Sequence, residues 1–314
     1  MNKRPLGKTG IELSELGFGC SGLWGKNVLG KPAITEERAF DVFKAAVDSG
    51  IAFFDTGINY GFAEERLGRC LSRLMRGGYH REDFVIETKF GEVVNENGDL
   101  TGQMSFNAEW VKRSLDVSLK RLNLDYIDLF ATHGGEPEQF SDDMFYCLED
   151  LKSQGLIRAY GSNTFDTDVI EWISKEKAFD YVMLDYNIMR QDREDLIEEL
   201  YENGVGVIGG AALAENLYSK RVYRIRSLND IWYLLRAIVR FNKQVKEGRK
   251  FRFINKYSKM TGNQIALRYV LDNQYVTSSV FNTTNPEHLY ENVKSTDIKL
   301  PNKIKEKIIS EGKK

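Results

Sequence analysis

Short apolar runs alternate with longer stretches of helically spaced apolar residues almost from one end of the chain to the other. Residues 3–8 and 10–15 flank Lys8-Thr9-Gly10 and predict a small hairpin ahead of the main fold. LGFG at 16–19 is the first candidate barrel strand, 36–49 predict a helix ending at Gly50, and AFF at 52–54 follows at once. The alternation then repeats. Helical spacing over 62–75 precedes FVIET at 84–88; Trp110, Val111, Leu115, Leu119 and Leu122 mark a helix over 107–121 ahead of YIDLF at 126–130. A helix over 142–154 stops at Gly155 before IRAYG at 157–161. Asp166 or Thr167 caps a helix over 168–176, YVMLD follows at 181–185, and a helix over 193–202 leads to VGVIGG at 205–210. A helical stretch from Ser258 or Thr261 to about Asp272, the strand VTSSV and a final helix opened by Pro286 complete the series.

Eight strands, each followed by a helix, predict an α/β fold of the (β/α)8 TIM barrel type. An open doubly wound sheet competes, but the first strand runs into SGLWGKNVLG and not into a GxGxxG turn. One segment departs from the period. Residues 213–257 hold SLNDIWYLLRAIVRFNKQVKEG and predict an ordered lid or side helix after the seventh strand. Residues 1–314 are otherwise read as one domain.

Composition narrows the function. The formal charge is −2 and no Lys/Arg run is long, so neither a nucleic-acid nor an anionic-membrane partner is expected. Cys20, Cys70 and Cys147 lack CxxC spacing and read as buried small hydrophobes. MNKRPLGKTG carries no apolar stretch behind it, and no apolar run approaches the ~20 residues of a spanning helix, which predicts a cytoplasmic location.

Four residues of proton-transfer character stand at or just past predicted strand ends: Asp55 and Tyr60 in FFDTGINYG, Lys89 in VIETKFG and His133 in DLFATHGG. A barrel gathers such groups at one mouth. A phenol beside an ammonium is a candidate proton donor to a developing alkoxide, because the positive field lowers its pKa. Asp55 is suited to orient Lys89, and His133 to donate a hydrogen bond to the substrate oxygen or to relay a proton. Lys89 as an imine-forming amine is an open rival, with Tyr60 and His133 as its acid/base partners. A metal site is not expected, since neither His80 nor His288 makes a ligand spacing with His133.

LGFG, FFDTGINYG with EERLG behind it, TKFG, RSLDVSLKRLNLDYIDLF with its following His, GLIRAYGSN and NPEHLYEN together resemble the aldo-keto reductase superfamily over nearly the whole chain. The resemblance implies a barrel that binds an extended nicotinamide dinucleotide, NADP ahead of NAD, and reduces a small carbonyl or oxidises an alcohol. It implies Asp55, Tyr60, Lys89 and His133 as the catalytic tetrad. A cofactor-binding accessory subunit is the alternative within the family. Ser162 and Asn163 match positions that hold the nicotinamide carboxamide, and Glu291 and Asn292 match positions near the adenine. Met183 stands where a glutamine is usual and Gly210 where an aromatic stacks on the ring. Asn282 and His288 replace basic positions expected at the 2′-phosphate, while Thr283 keeps a hydroxyl. Trp24 and Phe90 are the expected substrate-pocket wall, with Trp232 and Tyr233 as further candidates. Gly134 and Gly135 leave room beside His133 for a polar or bulky substrate such as a keto-sugar.

Overall fold

The computed structural model describes residues 1–24, 34–95, 99–218 and 244–313. An antiparallel hairpin of β1 (Lys3–Pro5) and β2 (Glu12–Ser14) opens the chain. β3 (Leu16–Gly19), β4 (Phe53–Asp55) and β5 (Val85–Phe90) follow. A second hairpin, β6 (Glu92–Val94) with β7 (Leu100–Met104), leaves directly from β5. The remaining strands are β8 (Ile127–His133), β9 (Ile157–Asn163), β10 (Tyr181–Asp185), β11 (Gly206–Gly210) and β12 (Ser278–Phe281). β3, β4, β5, β8, β9, β10, β11 and β12 close a barrel in chain order, every pair parallel. The expected (β/α)8 TIM barrel is therefore the fold.

Parallel strands covered on both faces are apolar almost throughout, and pleating decides which side chains enter the barrel. On β5, Val85 joins the interior cluster while Ile86 and Phe90 join the cluster beneath the helices. Lys89 and Glu87 share the interior parity of Val85, and Thr88 points outward to Glu64. Leu6, Ile11 and Leu13 of the first hairpin pack with Phe53, Val85 and Leu129 at the N-terminal ends of the strands. They plug the end opposite the strand carboxyl termini.

The outer helices are α1 (Ser21–Trp24), α2 (Glu36–Asp48), α3 (Ala63–Arg76), α4 (Ala108–Leu122), α5 (Asp142–Ser153), α6 (Thr167–Glu176) and α7 (Glu194–Glu202), followed by helices over Gly262–Leu271, Pro286–Val293 and Asn302–Gly312. Thr35, Asn107, Ser141 and Asp166 accept hydrogen bonds from otherwise orphaned first-turn amides, each worth about 1 kcal/mol. Thr261 and Gln264 form a reciprocal capping box.

The β6–β7 hairpin and a last helix were among the elements not expected. β7 is exposed at all five positions, so no apolar alternation marked it. The helix opened by Pro286 is followed by Asn302–Gly312, which buries only Ile304 and Ile308 amid lysines and so left a faint period. Of the 213–257 excursion, short 3₁₀ helices at Ala214–Asn216 and Arg249–Lys256 are seen. Trp232 and Tyr233 lie outside the described residues. Among the described residues no helix is long and apolar enough to cross a membrane, and the three cysteines are buried and unpaired.

Candidate active site at the carboxyl end of the barrel

Asp55 ends β4, Lys89 is one residue short of the end of β5, and His133 ends β8. Tyr60 sits in the turn between β4 and α3. That turn is pinned to β5 by amide bonds from Thr56 to Glu87 O (2.9 Å) and from Ile58 to Lys89 O (3.3 Å), and closes on itself from Tyr60 N to Gly57 O (3.0 Å). The barrel thus brings all four predicted catalytic residues to one mouth.

The Lys89 ammonium donates to Asp55 Oδ1 and, over 2.7 Å, to the carbonyl of Thr56. Its Nζ lies 5.4 Å from the centroid of the Tyr60 ring. Tyr60 and His133 meet edge to face, with centroids 5.9 Å apart and planes at 88°. His133 Nδ1 lies 2.8 Å from Glu92 Oε1, which also accepts from Asn59 Nδ2 over 2.8 Å.

Burial pulls Lys89 down, towards about 7. The carboxylate bonded to it acts the other way and holds the proton on the amine. Tyr60 departs from expectation. Burial, then the acids Glu87 and Glu92, push its phenol well above the ordinary 10.0, so it is a neutral donor at neutral pH. The field of Lys89 was expected to lower it, but burial and the two acids prevail.

Two acids beside the tetrad were missed. Glu87 lies one interior position below Lys89 on β5, fully buried, and accepts from Tyr181 Oη over 3.0 Å. Burial raises it to about 8. Its Oε2 has no hydrogen-bond partner among the described residues. The signal was available: an i, i+2 spacing to Lys89 places both on the same face of a strand. Glu92 had no such signal, because the hairpin that carries it was not predicted.

The expected cofactor residues divide. Asn163 stands in register with His133 on one side and Met183 on the other, and its Nδ2 lies 3.2 Å from Met183 Sδ. A Cβ on Gly210 would lie 3.3 Å from Met183 Cγ, so these three share one wall. Ser162 has the opposite parity; it is buried and accepts from Thr132 Oγ1 over 2.8 Å. Asn282 is exposed and bonds Ser21 Oγ (3.2 Å), and the Thr283 hydroxyl accepts from Asn285 N over 3.2 Å. His288, Glu291 and Asn292 lie on the helix Pro286–Val293, where Asn292 is 2 % exposed and its Oδ1 has no partner among the described residues. An orphaned acceptor there fits a bound base with an amino group. Arg38, which sequence reading passed over, donates to Thr284 O (3.1 Å) and Asn285 Oδ1 (3.1 Å), bringing a guanidinium to the same loop.

The substrate-wall expectation fails for Phe90. Its parity is opposite to Lys89, and it is fully buried against Phe130 and Phe106 between barrel and helices. Trp24 ends α1, but its side chain lies outside the described residues. Beside His133, a Cβ on Gly134 would meet nothing within 4 Å, whereas one on Gly135 would lie 2.6 Å from Phe140. The expected room is at Gly134 alone.

A parallel barrel with an acid, a phenol, an amine and an imidazole at its carboxyl mouth defines a class, and the model of the Aldo/keto reductase family matches residues 15–309. The chain belongs to that family. It is 28 % identical over 322 residues to the NADH-specific methylglyoxal reductase of Escherichia coli, covering 96 % of this chain and 95 % of that protein. It is 32 % identical over 228 residues to the L-galactose dehydrogenase of Arabidopsis thaliana, covering 69 % and 67 %. The holo form of the aldo-keto reductase AKR11C1 from Bacillus halodurans superposes with a TM-score of 0.80 at 26 % identity, covering 99 % and 96 %. The chain is accordingly an oxidoreductase that interconverts a carbonyl and an alcohol, with a nicotinamide dinucleotide as cofactor. Neither an accessory subunit nor an imine-forming lyase is favoured by these relatives.

Proposed function

We propose that this protein reduces small polar aldehydes, ketones or keto-sugars, with Tyr60 as the proton donor and Lys89, Asp55 and His133 around it. The observation that carries the reading is the buried Lys89–Asp55 pair set against the Tyr60 ring at the strand ends. When bound, reduced nicotinamide supplies the hydride that the carbonyl carbon accepts. Tyr60 gives its proton to the carbonyl oxygen as negative charge develops there. The Lys89 charge favours the phenolate left behind, and Asp55 with the Thr56 carbonyl fixes where that charge sits. Asn163, Met183 and Gly210 are the wall for the nicotinamide, with Ser162 buttressing it through Thr132. Asn292 and Glu291 serve the adenine.

NADP stays ahead of NAD in this reading. Asn282, Thr283 and His288 supply the hydroxyl and neutral contacts, and Arg38 the charge a 2′-phosphate requires. Methylglyoxal and galactose, which name two of the relatives, are both small and polar, and the open space at Gly134 suits such a substrate. Three buried, unpaired thiols accord with a reducing compartment such as the cytoplasm.

The test is turnover. Purified protein should consume NADPH or NADH in the presence of methylglyoxal or an aldose. Borohydride added with substrate should leave the protein mass unchanged. No oxidation of either cofactor across a panel of aldehydes, ketones and sugars, or a substrate-sized adduct on Lys89, would defeat the reading.

A further inference from the structure

The turn that carries Tyr60 is held from outside the barrel as well as from β5. Ile58 is its fixed point. The Ile58 amide donates to Lys89 O over 3.3 Å, and the Ile58 carbonyl accepts from Arg121 Nη1, on α4, over 3.1 Å. Both backbone polar groups of a residue two positions before Tyr60 are therefore held, each by a different element. The same Arg121 nitrogen donates to Glu64 Oε2 over 3.0 Å, and Glu64 Oε1 accepts from Thr88 Oγ1 over 2.7 Å. We propose that Arg121 is a positioning residue for Tyr60: it fixes the turn that presents the phenol, and the buried Glu64 and Thr88 fix Arg121.

Packing supports the same link. Glu64 stands in the first turn of α3, directly after the Tyr60 turn, and its side chain is fully buried. A buried carboxylate left without its cation is costly, so the two charges keep each other in place. The helices come close enough for this at Gly68, where a Cβ would lie 2.5 Å from Leu122 O. Gly68 is one helical turn after Glu64, and Leu122 follows Arg121. Apolar contacts repeat the pairing. Ile58 is buried in a cluster with Val94 and Trp110, and Val117 packs against that cluster. Trp110, Val117 and Arg121 share one face of α4, so a single helix face meets the turn with both apolar and charged groups.

The consequence is for proton transfer. Lys89 donates to the Thr56 carbonyl at the start of the turn, and Thr88 is its neighbour in the chain. The ammonium and the phenol are thus both referred to β5: Lys89 directly, and Tyr60 through Ile58, Arg121, Glu64 and Thr88. In reduction the Tyr60 O–H bond breaks as the alcohol O–H bond forms, and a displacement of about 1 Å in such a pair can cost about 10²-fold. Without Arg121 the Ile58 carbonyl and Glu64 lose their cationic donor, and the turn is free to shift. Asn163, Met183 and Gly210, assigned above to the nicotinamide, lie on β9, β10 and β11 and are left alone. This inference rests on Tyr60 being the proton donor, and one arm of its test stands apart from turnover.

Arg121→Met should lower kcat about tenfold to a hundredfold while KM for the cofactor stays within about twofold. Its rate should also fall further in heavy water than the native rate does, because proton delivery has become the slower step. A role in stability alone lowers the active fraction and leaves that solvent isotope effect unchanged. Arg121→Lys, whose ammonium can serve both acceptors, should recover most of the loss. Arg121→Met combined with Glu64→Met removes both charges together, which keeps folded protein in hand where the single variant strands Glu64, and it should show the same isotope effect. Apart from turnover, amide exchange across residues 57–61 should quicken about tenfold in either variant while β8 keeps its native rate. An unchanged kcat, a native solvent isotope effect or native exchange at 57–61 overturns the proposal. A native enzyme without turnover sinks the reductase reading, while exchange at 57–61 still decides whether Arg121 holds the turn.

Discussion

Asp55–Lys89 and Glu92–His133 are both carboxylate–base pairs at the same barrel mouth, yet they sit in different media. The side chains of Lys89 and Asp55 are 1 % and 9 % exposed; those of His133 and Glu92 are 24 % and 23 % exposed. The first pair is carried on adjacent barrel strands in register, Asp55 beside Glu87 and two residues from Lys89. The second joins a barrel strand to an added hairpin. A buried pair is a fixed charge distribution, because removing either member strands the other in low dielectric. A quarter-exposed pair exchanges protons with water and costs little to rearrange. The mouth thus sets a buried, fixed charge pair beside a part-exposed one.

The largest test removes what both pairs serve. Tyr60→Phe should lower the rate by about 10²–10⁴-fold and leave dinucleotide affinity unchanged in a fluorescence titration. A variant that keeps most of its rate would remove Tyr60 from the chemistry. Next, Lys89→Met strands the Asp55 carboxylate, and chemical denaturation should show a loss of about 3–5 kcal/mol. His133→Asn, its counterpart in the exposed pair, should cost no more than about 1 kcal/mol. Equal costs would break the comparison.

The layer beneath the buried pair offers a sharper probe. Glu87 is held at about 8 when folded, against the ordinary 4.5. Because the folded value is raised, the native state prefers the neutral acid. That stability is fully present below about pH 4.5 and is lost as the pH rises through about 8. Glu87→Gln should therefore match the native protein at pH 4 and outlast it increasingly up to pH 9, by as much as about 4 kcal/mol. A gap that does not grow with pH would mean that Glu87 finds a charge partner on ionising. The smallest effect belongs to the exposed guanidinium. Arg38→Met should weaken NADPH about tenfold and NADH hardly at all, and the NADPH advantage of the native protein should shrink in high salt. Equal losses for both cofactors would place Arg38 in loop packing only.

Much of this molecule was legible in its sequence. The eight barrel strands appear within three residues of where the apolar runs put them, because a strand buried on both faces leaves an unbroken apolar signature. The tetrad was legible for a related reason: polar residues just past such runs have no packing role to explain them. Phe90 misled because it adjoins Lys89 in sequence, while the two-residue period of a strand sends neighbours to opposite faces. Ser162 beside Asn163 divides in the same way.

The sequence by itself determined the barrel, the family and the identity of the four groups at its mouth. All of these follow from local periodicity and from motifs whose members lie within a few residues of one another. Only the tertiary structure decided which polar groups meet. Glu92 reaches His133 across 41 positions of chain, Tyr181 reaches Glu87 across 94, and Arg38 reaches Asn285 across 247. Such pairings have no local period to announce them. Burial, which raised Tyr60 against the sequence expectation and raised the overlooked Glu87, is a property of everything packed around a group, and a single chain position does not carry it.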